Sequence, residues 1–318
     1  MRLPLVVLAV VLAGCAGPAA VTPNPVPTPA LVTPSSFQPS AASATPSPAR
    51  ATAATSTLAG QFDIGGGRHM YISCQGQGSP TIILEAGGND GAGTWPPSLM
   101  NALSARTRTC AYDRAGEGRS DQVPGPRGVK EIAADLDALL AAARIDGPFL
   151  LVGTSFGGLV SLYYALTHTD QTAGLVILDS DWPTTDPARD PTRSVLTKAQ
   201  WAQILANDTW NSPDNREQVD FQGIAPGRGV SAEIQAVLHP LPGIPSRILT
   251  ATQSDAGDCP PAWDCAEIFR RSIEFQKDWL TLSPTAVQIL VGAGHVMHHE
   301  APDLVSSEIL KALDQVKP

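Results

Sequence analysis

Phe149-Leu150-Leu151-Val152-Gly153-Thr154-Ser155-Phe156-Gly157-Gly158 is the stretch around which the chain organises itself. Its first four residues are apolar, too few for a helix and closed by a glycine, so they read as a buried strand. Apolar residues at helical spacing follow over residues 156–166. A strand that turns into a helix at a serine suits nucleophilic chemistry. The sharp turn holds the serine in a strained backbone conformation, and the helix N-terminus behind it offers N–H groups to a developing oxyanion. Gly153, Gly157 and Gly158 remove side chains that such a turn cannot accommodate. As a bare string, Gly-x-Ser-x-Gly is weak in a chain with 28 glycines; the strand before it and the helix after it give it weight.

Working outward, residues 70–74 form a short strand closed by Gly76 and Gly78, and residues 81–85 a second, running into Ala86-Gly87-Gly88. Residues 109–112, 175–178, 248–249 and 287–291 continue the strands. Ile132, Leu136, Leu139 and Leu140 predict a helix over 129–144, and another closes the chain over 303–316. On the first of these, Glu131, Asp135 and Asp137 read as a solvated face. Apolar strands alternating with helices imply a mostly parallel sheet covered on both faces. Between Asp181 and Gly243 the rhythm stops; Trp182, Trp201, Trp210, several prolines and helix-like pieces at 198–205 and 231–238 take its place. This stretch, about 181–243, reads as a helical cap over a pocket.

His295 follows the last strand, in Gly294-His295, on a loop that would stand above the serine turn. There it can take the Ser155 proton and return it to a leaving group. His298 and His299 lie close by, but no acidic or cysteine ligands are arranged around them, so no metal is expected. Candidate acids follow strands: Asp179 after 175–178, and Asp255 after 248–252, with Asp258 a more distant choice.

Five segments, in order, resemble bacterial α/β-hydrolases: Leu84-Glu85-Ala86-Gly87-Gly88; Tyr112-Asp113-Arg114-Ala115-Gly116-Glu117-Gly118-Arg119-Ser120; the serine turn; Gly174-Leu175-Val176-Ile177-Leu178-Asp179; and Gly292-Ala293-Gly294-His295. The resemblance covers about residues 61–318 outside the cap. It implies an eight-stranded, mostly parallel α/β-hydrolase sheet and a carboxylesterase-like serine hydrolase. Ser155 would attack a small-molecule ester, or an amide, to give an acyl-enzyme that water resolves, with no cofactor. Most of the fold carries its acid after the penultimate strand, which points to Asp255. A subset with similar Leu-Glu-Ala-Gly and Tyr-Asp-Arg-Ala-Gly segments carries it one strand earlier, which points to Asp179; Asp179 is preferred and Asp255 stays the alternative. The oxyanion donors implied are the Phe156 N–H and that of Gly88 or Asn89, although Ala86-Gly87 replaces the family's usual His-Gly. Asp113 and Arg114 read as structural residues of a strand-end turn. A serine nucleophile argues against epoxide-hydrolase or dehalogenase chemistry, which uses aspartate there. An acyltransferase on the same triad, or a non-catalytic surface binding protein of the same fold, remains open.

The N-terminus carries a separate message. Residues 1–15 show Arg2, then an apolar run too short to span a bilayer, then Leu12-Ala13-Gly14-Cys15, which resembles a bacterial lipobox. That resemblance implies a signal peptide and lipidation of Cys15, hence an exported, cell-surface or periplasm-facing lipoprotein whose membrane contact is the lipid anchor. Residues 16–57 are almost entirely Pro, Thr, Ala, Ser and Val, the composition of a disordered, semi-stiff spacer before the hydrolase domain at 58–318. With 21 basic and 30 acidic residues the net charge is −9, which argues against nucleic acid as a partner. Cys74, Cys110, Cys259 and Cys265 lack zinc-type spacing, and their even number in an exported chain predicts disulfides. In the α/β-hydrolase sheet the second strand lies beside the fourth, which implies Cys74–Cys110. The short loop between Cys259 and Cys265 suits the other pair.

Overall fold

Alternation of side chains along apolar strands builds a sheet with two dry faces. The computed structural model describes residues 57–124, 127–186, 188–207, 229–253 and 262–316, all within one compact unit, Ala53–Pro318. The strands are β1 (Thr57–Asp63), β2 (His69–Gln75), β3 (Thr81–Glu85), β4 (Thr109–Tyr112), β5 (Phe149–Thr154), β6 (Thr172–Leu178), β7 (Ser246–Ala251) and β8 (Val287–Val291). They form one eight-stranded sheet in the order β1-β2-β4-β3-β5-β6-β7-β8. β2 runs antiparallel to both its neighbours, and every pairing from β4 to β8 is parallel. This is the α/β-hydrolase fold.

Around the sheet lie α1 (Pro97–Ser104), α2 (Val129–Ala142), α3 (Phe156–Thr167), α4 (Pro191–Val195), α5 (Lys198–Asn207), α6 (Val230–Gln235), α7 (Cys265–Phe275), α8 (Met297–Glu300) and α9 (Pro302–Gln315). Ile83, Leu151 and Ile177 point to one face, where Leu136 and Leu139 of α2 and Val160 of α3 cover them. Their neighbours Ile82, Leu84, Leu150 and Val152 point to the other, against Leu99 of α1 and Val305 and Ile309 of α9. Period-two alternation therefore feeds two cores at once, which is why β3, β4 and β5 are buried along their whole length and read as apolar runs.

Three features differ from the sequence reading or extend it. β1 has residues that alternate between exposed and half-buried; it is an edge strand held by backbone pairing to β2, so it carries little apolar signal. α7 carries an apolar face at helical spacing but turns no fully buried residue inward. Asp135 is buried and paired with Arg68 and Arg127, whereas a solvated face was expected; Arg68, remote in sequence, and Arg127, just before the helix, turn that point of α2 inward. Glu131 instead caps α2 by accepting the Gly128 N–H at 2.6 Å.

Cys74 and Cys110 face each other in the β2–β4 register and form a disulfide across 36 residues of chain. Cys265 is also disulfide-bonded; Cys259, the partner expected for it, lies outside the described residues. Closing a loop of that length restricts the unfolded chain by about 3–4 kcal/mol in the chain-entropy model. Cys74→Ser/Cys110→Ser should lose about that much stability in urea relative to the oxidised wild type. A loss below about 1 kcal/mol would show that strand pairing alone supports this edge.

Candidate active site

The turn at Ser155 is as tight as the sequence suggests. Ser155 sits between β5 and α3 with φ 51° and ψ −123°, a conformation that costs of order 1–3 kcal/mol and persists only where its surroundings enforce it. Enforcement comes from close backbone packing. A Cβ on Gly153 would lie 2.2 Å from the Gly157 carbonyl oxygen, and one on Gly157 would lie 2.3 Å from that of Glu85. Only glycine lets α3 start this close to the ends of β3 and β5. The Ser155 N–H donates to Leu178 O at 2.9 Å, tying the turn to β6.

Asp179 ends β6 with φ 43°, its N–H donating to Leu249 O at 2.8 Å. Its Oδ2 lies 2.7 Å from His295 Nδ1. Its Oδ1 accepts the Ala251 N–H and the Gln276 amide, each at 3.0 Å. Burial pushes the Asp179 carboxyl up, but these hydrogen bonds, led by that of His295, outweigh burial and hold it below the ordinary carboxylate range. An ionised carboxylate on Nδ1 leaves proton handling at this imidazole to Nε2. Asp255 and Asp258 lie outside the described residues.

Glu85 and Arg114, both 2% exposed, form a salt bridge with N–O 2.7 Å between the ends of β3 and β4. The Arg114 guanidinium also donates to the carbonyls of Ala86, Gly87 and Asp90, and the Tyr112 hydroxyl donates to Glu85. One fork of donors therefore holds the loop after β3 that contains Gly88 and Asn89. A Cβ on Gly87 would come 3.7 Å from Ser155 Cβ, so this loop runs beside the serine. Asp113 accepts the Ala92 N–H at 2.6 Å and the Arg119 N–H at 2.9 Å, which makes it a fastener for the two loops. Neither Asp113 nor Arg114 lines the cavity described next.

Ser155, Asp179 and His295 open into one cavity of about 300 Å³. Phe156 and Leu159 of α3, Trp182 and Thr184 after β6, Ser231 of α6, and Phe269 and Ile273 of α7 form much of its wall. Trp279 Nε1–H donates to Ser180 O at 2.8 Å and meets Trp182 edge-on at 5.3 Å, fixing the chain as it leaves β6. Gln276, Asp181 and the α7 wall carry no motif and were not singled out from the sequence. Their signal is three-dimensional only. His298 is buried against Trp95, with ring centroids 5.1 Å apart, and burial, aided by His299 and His295, pushes it down to about 4; it is a neutral packing residue beside the site.

The family described as Alpha/beta hydrolase family matches residues 82–308. The protein named "Putative carbamate hydrolase RutD" from Azorhizobium caulinodans is 36% identical over 122 residues, 38% of this chain and 44% of its own. Its namesake from Yersinia enterocolitica is 36% identical over 121 residues, 37% of this chain and 42% of its own. The chain thus spans less than half the length of these curated relatives. Among solved structures, a serine hydrolase involved in carbazole degradation superposes with TM-score 0.53 at 15% identity, covering 81% of this chain and 99% of that one. A thermophilic esterase from Thermogutta terrifontis gives 0.52 at 18%, covering 82% and 100%. At such identities these structures speak to the fold.

Removing Arg114 while leaving Glu85 buried should be costly, because the carboxylate loses its charge partner. Arg114→Met should destabilise by about 3–5 kcal/mol, and adding Glu85→Leu should return part of that loss. Urea unfolding of both variants checks this; a double variant no more stable than the single one would contradict it.

Proposed function

The chain belongs to the alpha/beta hydrolase family, and we propose from its site that it is a serine hydrolase acting on small ester or amide carbonyls. The observation that carries this reading is the 2.7 Å contact between His295 Nδ1 and Asp179 Oδ2, in a cavity shared with a serine at a strained strand–helix turn. Ser155 Oγ attacks the carbonyl carbon while His295 Nε2 takes the hydroxyl proton. Asp179 supports the imidazolium that results. The oxyanion receives the Phe156 N–H and one from the Gly88–Asn89 loop. Collapse of the tetrahedral intermediate expels the alcohol or amine, which takes the proton back from His295. Water then repeats the sequence to free the acid. Within this reading Asp179 is the triad acid, the helices between β6 and β7 act as the cap, and the relatives named "Putative carbamate hydrolase RutD" add carbamates to the substrates worth assaying.

The Leu12–Cys15 sequence supports a further part of the proposal, that the enzyme is exported and tethered through a lipid on Cys15. A cross-strand disulfide agrees with an oxidising compartment.

A fluorophosphonate probe should label Ser155, and Ser155→Ala should lose both labelling and about a millionfold in kcat toward p-nitrophenyl esters. Asp179→Asn should lose about 10⁴ in kcat, because the imidazole is left in the wrong tautomer. Labelling that persists in the alanine variant, or an Asp179→Asn enzyme within tenfold of wild type, would refute the respective role. Separately, a clickable fatty-acid analogue fed to cells making the full chain should tag wild type and not Cys15→Ser. An untagged, freely released wild type would overturn the anchor.

A further inference from the structure

The cavity that holds Ser155 has an unusual balance of charge. Three carboxylates line it, Asp179, Asp181 and Asp190, and no lysine or arginine does among the described residues. Asp179 is committed to His295, Gln276 and Ala251, and the Asp190 side chain caps α4 by accepting the Arg193 N–H at 2.8 Å. Asp181 shares the Gln276 amide. Its side chain is exposed where it opens to the cavity. Desolvation by the cavity walls, then the charges of Asp179 and Asp190, push its carboxyl up, and His295 and the Gln276 amide act the other way. Arg189 and Arg193 are engaged elsewhere, the first with Asp278 and over the Phe275 ring, the second over Trp201.

A second, independent feature is the aromatic wall. Trp182 and Phe269 line the same cavity, beside Phe156 and Phe275, whose rings already lie under Arg114 and Arg189. Aromatic faces attract cations through the ring quadrupole and do so more strongly where water is excluded. A carboxylate without a cation, set among aromatic rings beside a nucleophile, is what a positively charged nitrogen on a substrate would complete.

We propose that Asp181 and the aromatic wall form a cation subsite, and that the enzyme prefers esters or amides whose acyl or leaving part carries a protonated or quaternary nitrogen. This rests on the serine-hydrolase reading above and adds the substrate class to it. The ammonium group supplies the charge partner that the protein withholds from Asp181. It also offsets a negative field that would otherwise oppose the oxyanion forming at the substrate carbonyl.

Two isosteric substrate pairs test it. Butyrylthiocholine against 3,3-dimethylbutyl thiobutyrate places the charge on the leaving side. The p-nitrophenyl esters of 4-(trimethylammonio)butanoate and 5,5-dimethylhexanoate place it on the acyl side. For at least one pair, wild type should favour the cationic member in kcat/KM by about tenfold or more, and Asp181→Asn should bring that ratio to within about threefold of unity. Calorimetric titration of butyltrimethylammonium keeps the test independent of turnover and of the variant's activity: wild type should bind it and Asp181→Asn about tenfold more weakly. Equal turnover within both pairs, a preference that survives in Asp181→Asn, or no binding to wild type would overturn the subsite. Binding that depends on Asp181 in a protein that hydrolyses no ester and takes no fluorophosphonate at Ser155 would retain the subsite and overturn the hydrolase reading alone.

Discussion

The buried Arg114 guanidinium sits where the ends of β3 and β4 meet the loop beside the serine, and most of the site's precision passes through it. It neutralises Glu85, which could not otherwise stay charged at 2% exposure, and it satisfies the carbonyls of Ala86, Gly87 and Asp90 in a loop with no regular structure of its own. A buried pair of this kind adds little net stability, since desolvation consumes most of the attraction. What it supplies is a single geometry. A planar fork of donors fits one arrangement of carbonyls, so the loop that carries Gly88 and Asn89 is held before any substrate arrives. Lysine at this position would keep the charge and lose the fork.

The other half of the site is held differently, by neutral donors around an acid. Asp179 receives the Ala251 N–H from the end of β7 and the Gln276 amide from beyond α7. Two neighbouring strands and a distant turn thus converge on one carboxylate. Each donor favours its ionised form, which keeps it an acceptor for the imidazole across the neutral pH range. Because β5, β6, β7 and β8 lie side by side and parallel, Ser155 after β5, Asp179 after β6 and His295 after β8 all arise at the same end of the sheet. That juxtaposition follows from topology and needs no additional contact to arrange it.

This explains what was legible in the sequence and what was not. β3, β5, β6 and β8 carry runs of three or four consecutive aliphatic or aromatic residues, so their positions could be read directly, and helices α2 and α9 turn apolar faces inward at regular spacing. Ser155, His295 and Asp179 each follow such a strand, so their candidacy could be read too. β1 packs Leu58 and Phe62 against the core and α7 packs through a half-buried apolar face, both without a fully buried residue. Asp135 carried the opposite problem: an acidic residue on an amphipathic helix reads as solvated unless one knows that Arg68 and Arg127 fold over it. Gln276 and Asp181 lay beyond reach for a related reason. A neutral amide after a half-buried helix, and a carboxylate two residues past Asp179, become meaningful only when the cavity between them exists.

The electrostatics of that cavity carry the argument one step further. Preorganised sites accelerate acyl transfer by offering positive potential where the oxyanion forms. In the proposed mechanism the N–H groups of the turn and the loop would provide it locally, while Asp179, Asp181 and Asp190 line the same cavity. These carboxylates oppose the growth of negative charge on a neutral substrate. Under the proposed cation subsite, a substrate bearing a positive charge would offset that opposition while leaving Asp179 on His295.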